Sequence, residues 1–330
     1  RKRATMSRIF DALQRSEGER SGNDLAGLPD GPELLRRAEG RVASEREDTT
    51  ASHQNREAGV ADGNGRLISG TGSSDSANPQ APGASESLSA EERSALLSSF
   101  RSLPISLPSE GRLVCLTDRE SPTAEAVRLL GVRLRDFRRI RPLKKVLITS
   151  TIPREGKTTI AANLACALAH GSEEKILLIE GDVRLPALRQ TFGVEKVPGL
   201  VEYVQEERSV SECIFHLDGA GVWMLPTGSI PKAPLEILES DKVPKLLDQI
   251  AACFDWIIID SPPILPLADT SIWMRLADGV LLVTRQGVTE KQQLRKGLEA
   301  LEPQKVLGAL LNGSVASAYS SYYYRSSSRS

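Results

Sequence analysis

Apolar residues are spread unevenly along this chain, and their spacing changes character near residue 112. Ile9, Phe10 and Leu13 form one apolar stripe at helical spacing, which predicts a short amphipathic helix over residues 6–17 (MSRIFDALQRSE). From about Gly18 to Ala90 the chain is dominated by Gly, Ser, Asp, Glu and Arg, and no Phe, Trp or Tyr occurs between Phe10 and Phe100. Such a stretch cannot bury enough surface to offset the entropy of ordering it. Residues 18–110 therefore read as a disordered linker, with one more short helix expected within 91–104 (EERSALLSSF). Order is expected to begin near Arg112. Beyond it, short apolar runs alternate with amphipathic segments. Strands are expected at Val146–Ser150, Ile176–Glu180, Val222–Pro226, Trp256–Asp260, Val280–Thr284 and Val306–Asn312. Helices are expected at Ala124–Arg138, Lys157–Ala169, Pro234–Ala252, Thr270–Ala277 and Glu290–Leu301. The strands are near-continuously apolar, as in a sheet covered on both faces. The alternation predicts an α/β fold with a doubly wound, mostly parallel sheet over residues 111–315, followed by a flexible Ser- and Tyr-rich tail over 316–330.

Composition narrows the function classes. Of the 330 residues, 42 are Lys or Arg and 43 are Asp or Glu, a net charge of −1 that gives no global electrostatic case for nucleic acid. Cys115, Cys166, Cys213 and Cys253 are isolated in sequence. That argues against a zinc ribbon, an iron–sulfur scaffold or a disulfide framework and points to a reducing cytoplasm. No run of 18 apolar residues is present, so no membrane span of its own is expected. Arg1–Thr5 carry no apolar signal core, and Met6 is a candidate initiator.

Three segments carry chemistry. In VLITSTIPREGKTTIAANLA (146–165) a strand runs through a short loop into Gly156-Lys157-Thr158 and a helix. That is the context of a phosphate-binding loop, in which backbone N–H groups and a helix N-terminus cradle phosphate oxygens. The cradle would run over Thr151, Pro153, Arg154, Glu155, Gly156, Lys157, Thr158 and Thr159. Lys157 would reach the β- and γ-phosphates, and Thr158 would ligate Mg²⁺. In KILLIEGDVRLP (175–186) an apolar strand ends in Glu180 and Asp182, two apart and so expected to face one way toward a Mg²⁺–phosphate centre. In FDWIIIDSPPIL (254–265) an apolar strand delivers Asp260, the Walker B arrangement, and Pro262-Pro263 end the strand. Four of the five tyrosines (Tyr319, Tyr322, Tyr323 and Tyr324) lie in the tail, too polar a setting for core, and beside an ATP site they read as phosphate acceptors. A basic run, Arg128, Arg133, Arg135, Arg138, Arg139, Arg141, Lys144 and Lys145, reads either as a solvated helix face or as contact with a neighbouring subunit, an acidic partner or anionic lipid.

Taken together these residues resemble the P-loop tyrosine kinases of bacterial exopolysaccharide and capsule export (BY-kinases). STIPREGKTT is similar to their Walker A motif, IEGDVRLP to their Walker A′ and IIIDSPP to their Walker B. LPTGSIPKAPLEIL, ADTSIWMRLADGVLLVTRQGVT and VLGALLNG are similar to further family segments, and MSRIFDALQ to the start of stand-alone members. The likeness spans about residues 118–324. It implies a P-loop fold, ATP·Mg²⁺ as cofactor, and autophosphorylation in trans of the tail tyrosines. It also implies a homo-oligomer and a membrane-embedded polysaccharide co-polymerase (chain-length determinant) as activator, which would place the chain at the cytoplasmic face of the membrane. Carried over residue by residue, Lys157 stabilises the transferring phosphate, while Thr158, Asp182 and Asp260 organise the metal. Glu180 stands where the family has an Asp that helps activate the acceptor hydroxyl, and Asn312 matches a position near the adenine. The chain departs from the pattern at Thr151 (in place of the leading Gly), at Arg154 (often Gly) and at Glu180. It departs again at Gly131, where the ring-forming Glu-x-x-Arg-x-x-Arg beginning at Glu125 and Arg128 lacks its second Arg. Two other readings stand beside this one. A ParA/MinD-type ATPase switch would carry a signature Lys where Ile152 stands, and a non-catalytic nucleotide-binding scaffold would bind ATP without transfer.

Overall fold

A computed structural model describes residues 89–108 and 112–314. The helix expected at 6–17, the linker up to residue 88 and the four tail tyrosines lie outside the described residues. Within them, eight strands build one sheet: β1 Arg101–Pro104, β2 Lys145–Ser150, β3 Ile176–Glu180, β4 Phe215–Asp218, β5 Val222–Leu225, β6 Trp256–Asp260, β7 Gly279–Arg285 and β8 Val306–Asn312. Their spatial order is β1-β4-β5-β3-β6-β2-β7-β8. From β5 to β8 all neighbours are parallel, while β4 runs antiparallel to β5 and β1 follows β4. The helices are α1 Ala90–Ser99, α2 Val114–Thr117, α3 Pro122–Ile140, α4 Lys157–Ala169, α5 Leu188–Phe192, α6 Leu200–Val204, α7 Val210–Cys213, α8 Pro234–Glu239, α9 Lys242–Ala251, α10 Asp269–Leu276 and α11 Lys291–Glu299.

The period-2 geometry of the central strands sorts their side chains into two cores, one on each face. Val146, Ile148, Leu178, Ile258 and Trp256 pack with α4 residues such as Leu164 and Leu168 and with Leu134 of α3. Leu147, Leu177, Ile179, Ile257 and Ile259 pack on the other face with Leu246 and Ile250 of α9 and Trp273 of α10. α4 is apolar all round because it lies between the sheet and α3, and Ile160 to Leu168 are buried without interruption. α3 starts where Ser121 Oγ accepts from Ala124 N–H at 3.2 Å and Pro122 fills the first turn.

The expectation that order begins near Arg112 is too late. Ser89 and Glu92 cap α1 reciprocally, Phe100 is buried with its ring 6.4 Å from that of Phe254, and β1 pairs in parallel with β4 over Arg101↔Phe215 to Pro104↔Asp218. β1, at one edge of the sheet, and its neighbour β4 are each four residues long and give too short an apolar run to read from pattern. The single helix expected over Pro234–Ala252 is two. Pro244 has no N–H to give the carbonyl of Ser240, so it fits only in the first turn of a new helix, and the chain breaks at Ser240 (φ −58°, ψ 134°) to start α9.

Ile258, on the central strand β6 and fully buried, tests the parallel core. Ile258→Ala should lower unfolding stability by about 2–5 kcal/mol, read as a drop in urea midpoint at unchanged slope.

Candidate active site

β2 ends at Ser150, the chain crosses a six-residue loop (151–156), and α4 begins at Lys157 with Gly156 as its N-cap. Gly156 has φ 94°, and a Cβ there would meet Asn312 Nδ2 at 2.2 Å, so a side chain at this position is strained and displaces the Asn312 amide. The loop is braced from inside by a fully buried carboxylate. Glu155 Oε2 accepts from Ile152 N–H at 2.8 Å, and its Oε1 accepts from the Thr289 hydroxyl. The main chain is held as well: Asn312 Nδ2 donates to the Glu155 carbonyl at 2.9 Å, and Arg285 Nη1 donates to the Arg154 carbonyl at 3.2 Å. Arg154 itself takes a left-handed backbone conformation (φ 67°). Thr151 is buried, packed on Gly297 of α11, where a Cβ would come within 3.0 Å of it. The brace therefore comes from β7, the turn after it and the end of β8. Of these residues the sequence reading marks Glu155, Asn312, Thr151 and Arg154. It does not mark Arg285 and Thr289, whose only signal is membership of a longer family-like segment, or Gly297, which has none.

The acidic residues meet at the carboxyl ends of β3 and β6, where Glu180 and Asp260 stand in register on adjacent strands. Asp182 lies beyond the strand end. Its Oδ2 is 3.0 Å from Lys157 Nζ, and its Oδ1 accepts from Leu185 N–H at 3.1 Å. Asp260 is buried, and its Oδ1 has no hydrogen-bond partner. Burial pushes its carboxyl up to about 7. Lys157 and the Thr158 hydroxyl pull the other way, and Asp182 and Glu180 add to the rise. The expectation of two carboxylates facing one way does not describe Glu180. Its Oε1 accepts from Leu188 N–H at 2.6 Å and its Oε2 from Thr227 N–H at 2.9 Å, so both oxygens are engaged by main chain away from Lys157. The strand ends at Glu180, so the two-residue alternation stops there. Arg184 is likewise held aside, in a two-pronged pair with buried Asp269 at 2.8 and 3.0 Å.

Most of the basic run is absorbed within the fold. Arg128 pairs with Glu125, Arg135 with Glu174 and Arg139 with Asp136; Arg138 lies 5.0 Å over the Trp256 ring, and Arg141 and Lys144 donate to the Gln304 and Ala251 carbonyls.

A P-loop before a buried helix, with a Lys–Asp pair and a second acid at strand ends, is a phosphoryl-transfer geometry, and comparison with known proteins agrees. An AAA domain family matches residues 154–302. Tyrosine-protein kinase YwqD of Bacillus subtilis (strain 168) is 36% identical over 214 residues, which are 64% of this chain and 90% of YwqD. The chain belongs to the bacterial tyrosine-protein kinases. The putative tyrosine-protein kinase EpsB of Ralstonia solanacearum is 32% identical over 57% of this chain but only 25% of EpsB. This kinase therefore matches nine-tenths of a short relative and a quarter of a long one. Among solved structures, the kinase domain of the Escherichia coli tyrosine kinase ETK superposes with a TM-score of 0.59 at 28% identity, covering 64% of this chain and 82% of that domain. The chain is thus an ATP-binding protein-tyrosine kinase with a P-loop fold.

Asp260 gives a stability test of this centre. Its folded pKa of about 7 exceeds the ordinary 3.8, so the native state holds the proton more tightly than the unfolded chain. Stability is therefore lost as pH rises through that window. In nucleotide-free protein, Asp260→Asn should raise the urea midpoint at pH 8 by the equivalent of roughly 1–4 kcal/mol, with a clearly smaller gain at pH 5.

Proposed function

We propose that this kinase transfers the γ-phosphoryl group of ATP to the tyrosines of its own C-terminal cluster, Tyr319, Tyr322, Tyr323 and Tyr324, from one copy to another. The Lys157–Asp182 pair beside Asp260, whose Oδ1 has no partner, carries the proposal. A cation already set at the N-terminus of α4 and two acids opposite it supply the positioning and charge that this reaction needs. When nucleotide binds, the amides of the 151–159 loop hold its phosphates and Lys157 turns to the β- and γ-oxygens. Asn312, expected near the adenine, braces the loop through the Glu155 carbonyl.

Mg²⁺ fits the residues present. Among the described residues no group of three or more His, Cys, Asp or Glu side chains could hold a metal alone. A nucleotide-borne Mg²⁺ needs only one or two protein carboxylates besides phosphate and water, and the buried Asp260 Oδ1 lacks a partner. Thr158, Asp182 and Asp260 would hold the ion, which supplies charge neutralisation between the β- and γ-phosphates.

Transfer in trans rests on the likeness of the motifs. Each phosphotyrosine adds roughly −1.5 to −2 charges, which favours release from a site that already holds three acids and weakens a homo-oligomer. Control of exopolysaccharide or capsule polymerisation and export through a membrane-embedded co-polymerase, at the cytoplasmic face of the membrane, completes the proposal and rests on the likeness of the motifs. Among the described residues no helix is long and apolar enough to cross a membrane.

Incubation with Mg·ATP followed by mass spectrometry of the C-terminal peptide should show phosphotyrosine at 319–324, and Lys157→Met should reduce it by about 10²-fold or more. Absence of phosphate in wild type, even with the cytoplasmic segment of the co-polymerase supplied, would refute the autokinase. The rate per molecule should fall on dilution; a rate independent of concentration would refute transfer in trans.

A further inference from the structure

Glu180 is 1% exposed at the end of β3, and nothing in its geometry leaves it free to meet a substrate. One oxygen takes the Leu188 N–H, the first residue of α5, and the other takes the buried Thr227 N–H in the loop after β5. The Thr227 hydroxyl returns to the Glu180 carbonyl at 3.3 Å. The segments that this one side chain joins lie on either side of it: residues 181–187 after β3 and residues 226–233 after β5. Each carries a large apolar side chain turned to solvent, Leu185 at 74% and Ile230 at 68% exposure. Leu185 is also tied to the acid centre, because its N–H is held by Asp182.

We propose that Glu180 is a positioning residue that clamps these two loops together, so that Leu185 and Ile230 form an apolar wall for the ring of the acceptor tyrosine, rather than the group that receives the acceptor's proton. The occupant is a tyrosine from the tail of a second copy, and to that extent the inference rests on the function proposed above. A phenol presents an apolar body and a polar tip; with its ring on the wall, its hydroxyl points to Asp182 and the phosphate loop. Sixteen residues follow Ser314, and four of them are tyrosine, so the occupant belongs to this chain. The longer Glu, where relatives carry Asp, has a physical reason here. Spanning Leu188 N and Thr227 N together takes a side chain one carbon longer than Asp.

The test uses the full chain, Mg·ATP and a synthetic peptide of residues 316–330 as acceptor. Glu180→Gln turns one acceptor oxygen into an NH₂ that meets a backbone N–H, which loosens the clamp. It should raise the peptide KM by about tenfold with kcat within about threefold, leave ADP affinity within about twofold, and speed amide exchange at residues 185–188 and 227–230. Glu180→Asp should do the same, although it keeps a carboxylate. Leu185→Ser/Ile230→Ser removes only exposed atoms and should reproduce the KM effect without the exchange effect. A fall of 10² or more in kcat for Glu180→Gln at unchanged KM and unchanged exchange, with Glu180→Asp active, would overturn the proposal in favour of a general base. A wild-type KM in the apolar double variant would overturn the wall, and this variant carries the test if Glu180→Gln does not fold. If wild type leaves the peptide unphosphorylated, the kinase reading fails, while exchange in Glu180→Gln still decides whether the clamp exists.

Discussion

Three carboxylates meet almost out of water at the carboxyl ends of β3 and β6, with one lysine among them. Burying a charge is costly unless it is paired, hydrogen-bonded or neutralised. The molecule uses a different device for each. Glu180 is held by two backbone amides, Asp182 by Lys157 and a third amide, and Asp260 keeps its proton to about pH 7. Under the function proposed above, only the last two arrangements would be undone by a ligand: phosphate would draw Lys157 away from Asp182, and Mg²⁺ would take the place of the proton on Asp260. The acid that weakens the empty protein at neutral pH would then strengthen the loaded one.

The parallel sheet makes this possible. Register places Glu180 beside Asp260 and Ile148 beside Asp260 on the other flank, so the phosphate loop after β2 and the acids after β3 and β6 leave the sheet at one edge. Below that edge everything is apolar and packed on both faces, so the loops above it are anchored to a rigid floor. The Gly181 N–H donates to the Asp260 carbonyl at 2.7 Å and the Trp273 indole donates to the Gly181 carbonyl at 3.0 Å. These bonds tie the Walker A′ turn to the Walker B strand through main chain and to α10 through the Trp273 side chain.

Much of this was legible in the residues. A strand such as LLIE or WIIID is apolar on both faces and ends in an acid, and no helix or one-sided strand reads that way. Gly-Lys-Thr after such a strand leaves little choice but a helix start, and α4 begins and ends where its pattern says. What escaped depends on contacts remote in sequence. β1 and β4 are four-residue strands whose only reason to exist is each other and β5. The partners of Glu180 lie 8 and 47 residues away, and no local spacing announces them. The basic run looked like a surface because its acceptors, Glu174 and the Gln304 and Ala251 carbonyls, come from other elements.

The same remoteness explains how the loop tolerates Thr151 and Arg154. A glycine-rich phosphate loop uses missing side chains to let backbone approach phosphate. Here the room is found elsewhere. The Thr151 side chain sits against Gly297 of α11, so the glycine that the loop lacks is on its neighbour. Arg154 accepts the left-handed backbone that glycine would adopt freely, at a strain of order 1–3 kcal/mol. Its carbonyl is then held by Arg285 and the Glu155 carbonyl after it by Asn312, while the Glu155 carboxylate accepts from the Ile152 N–H before it. The loop's shape is thus imposed by β7, β8 and α11 rather than by its own sequence. It follows that Asn312, at the end of β8, is part of what shapes the phosphate loop, because its amide holds the Glu155 carbonyl.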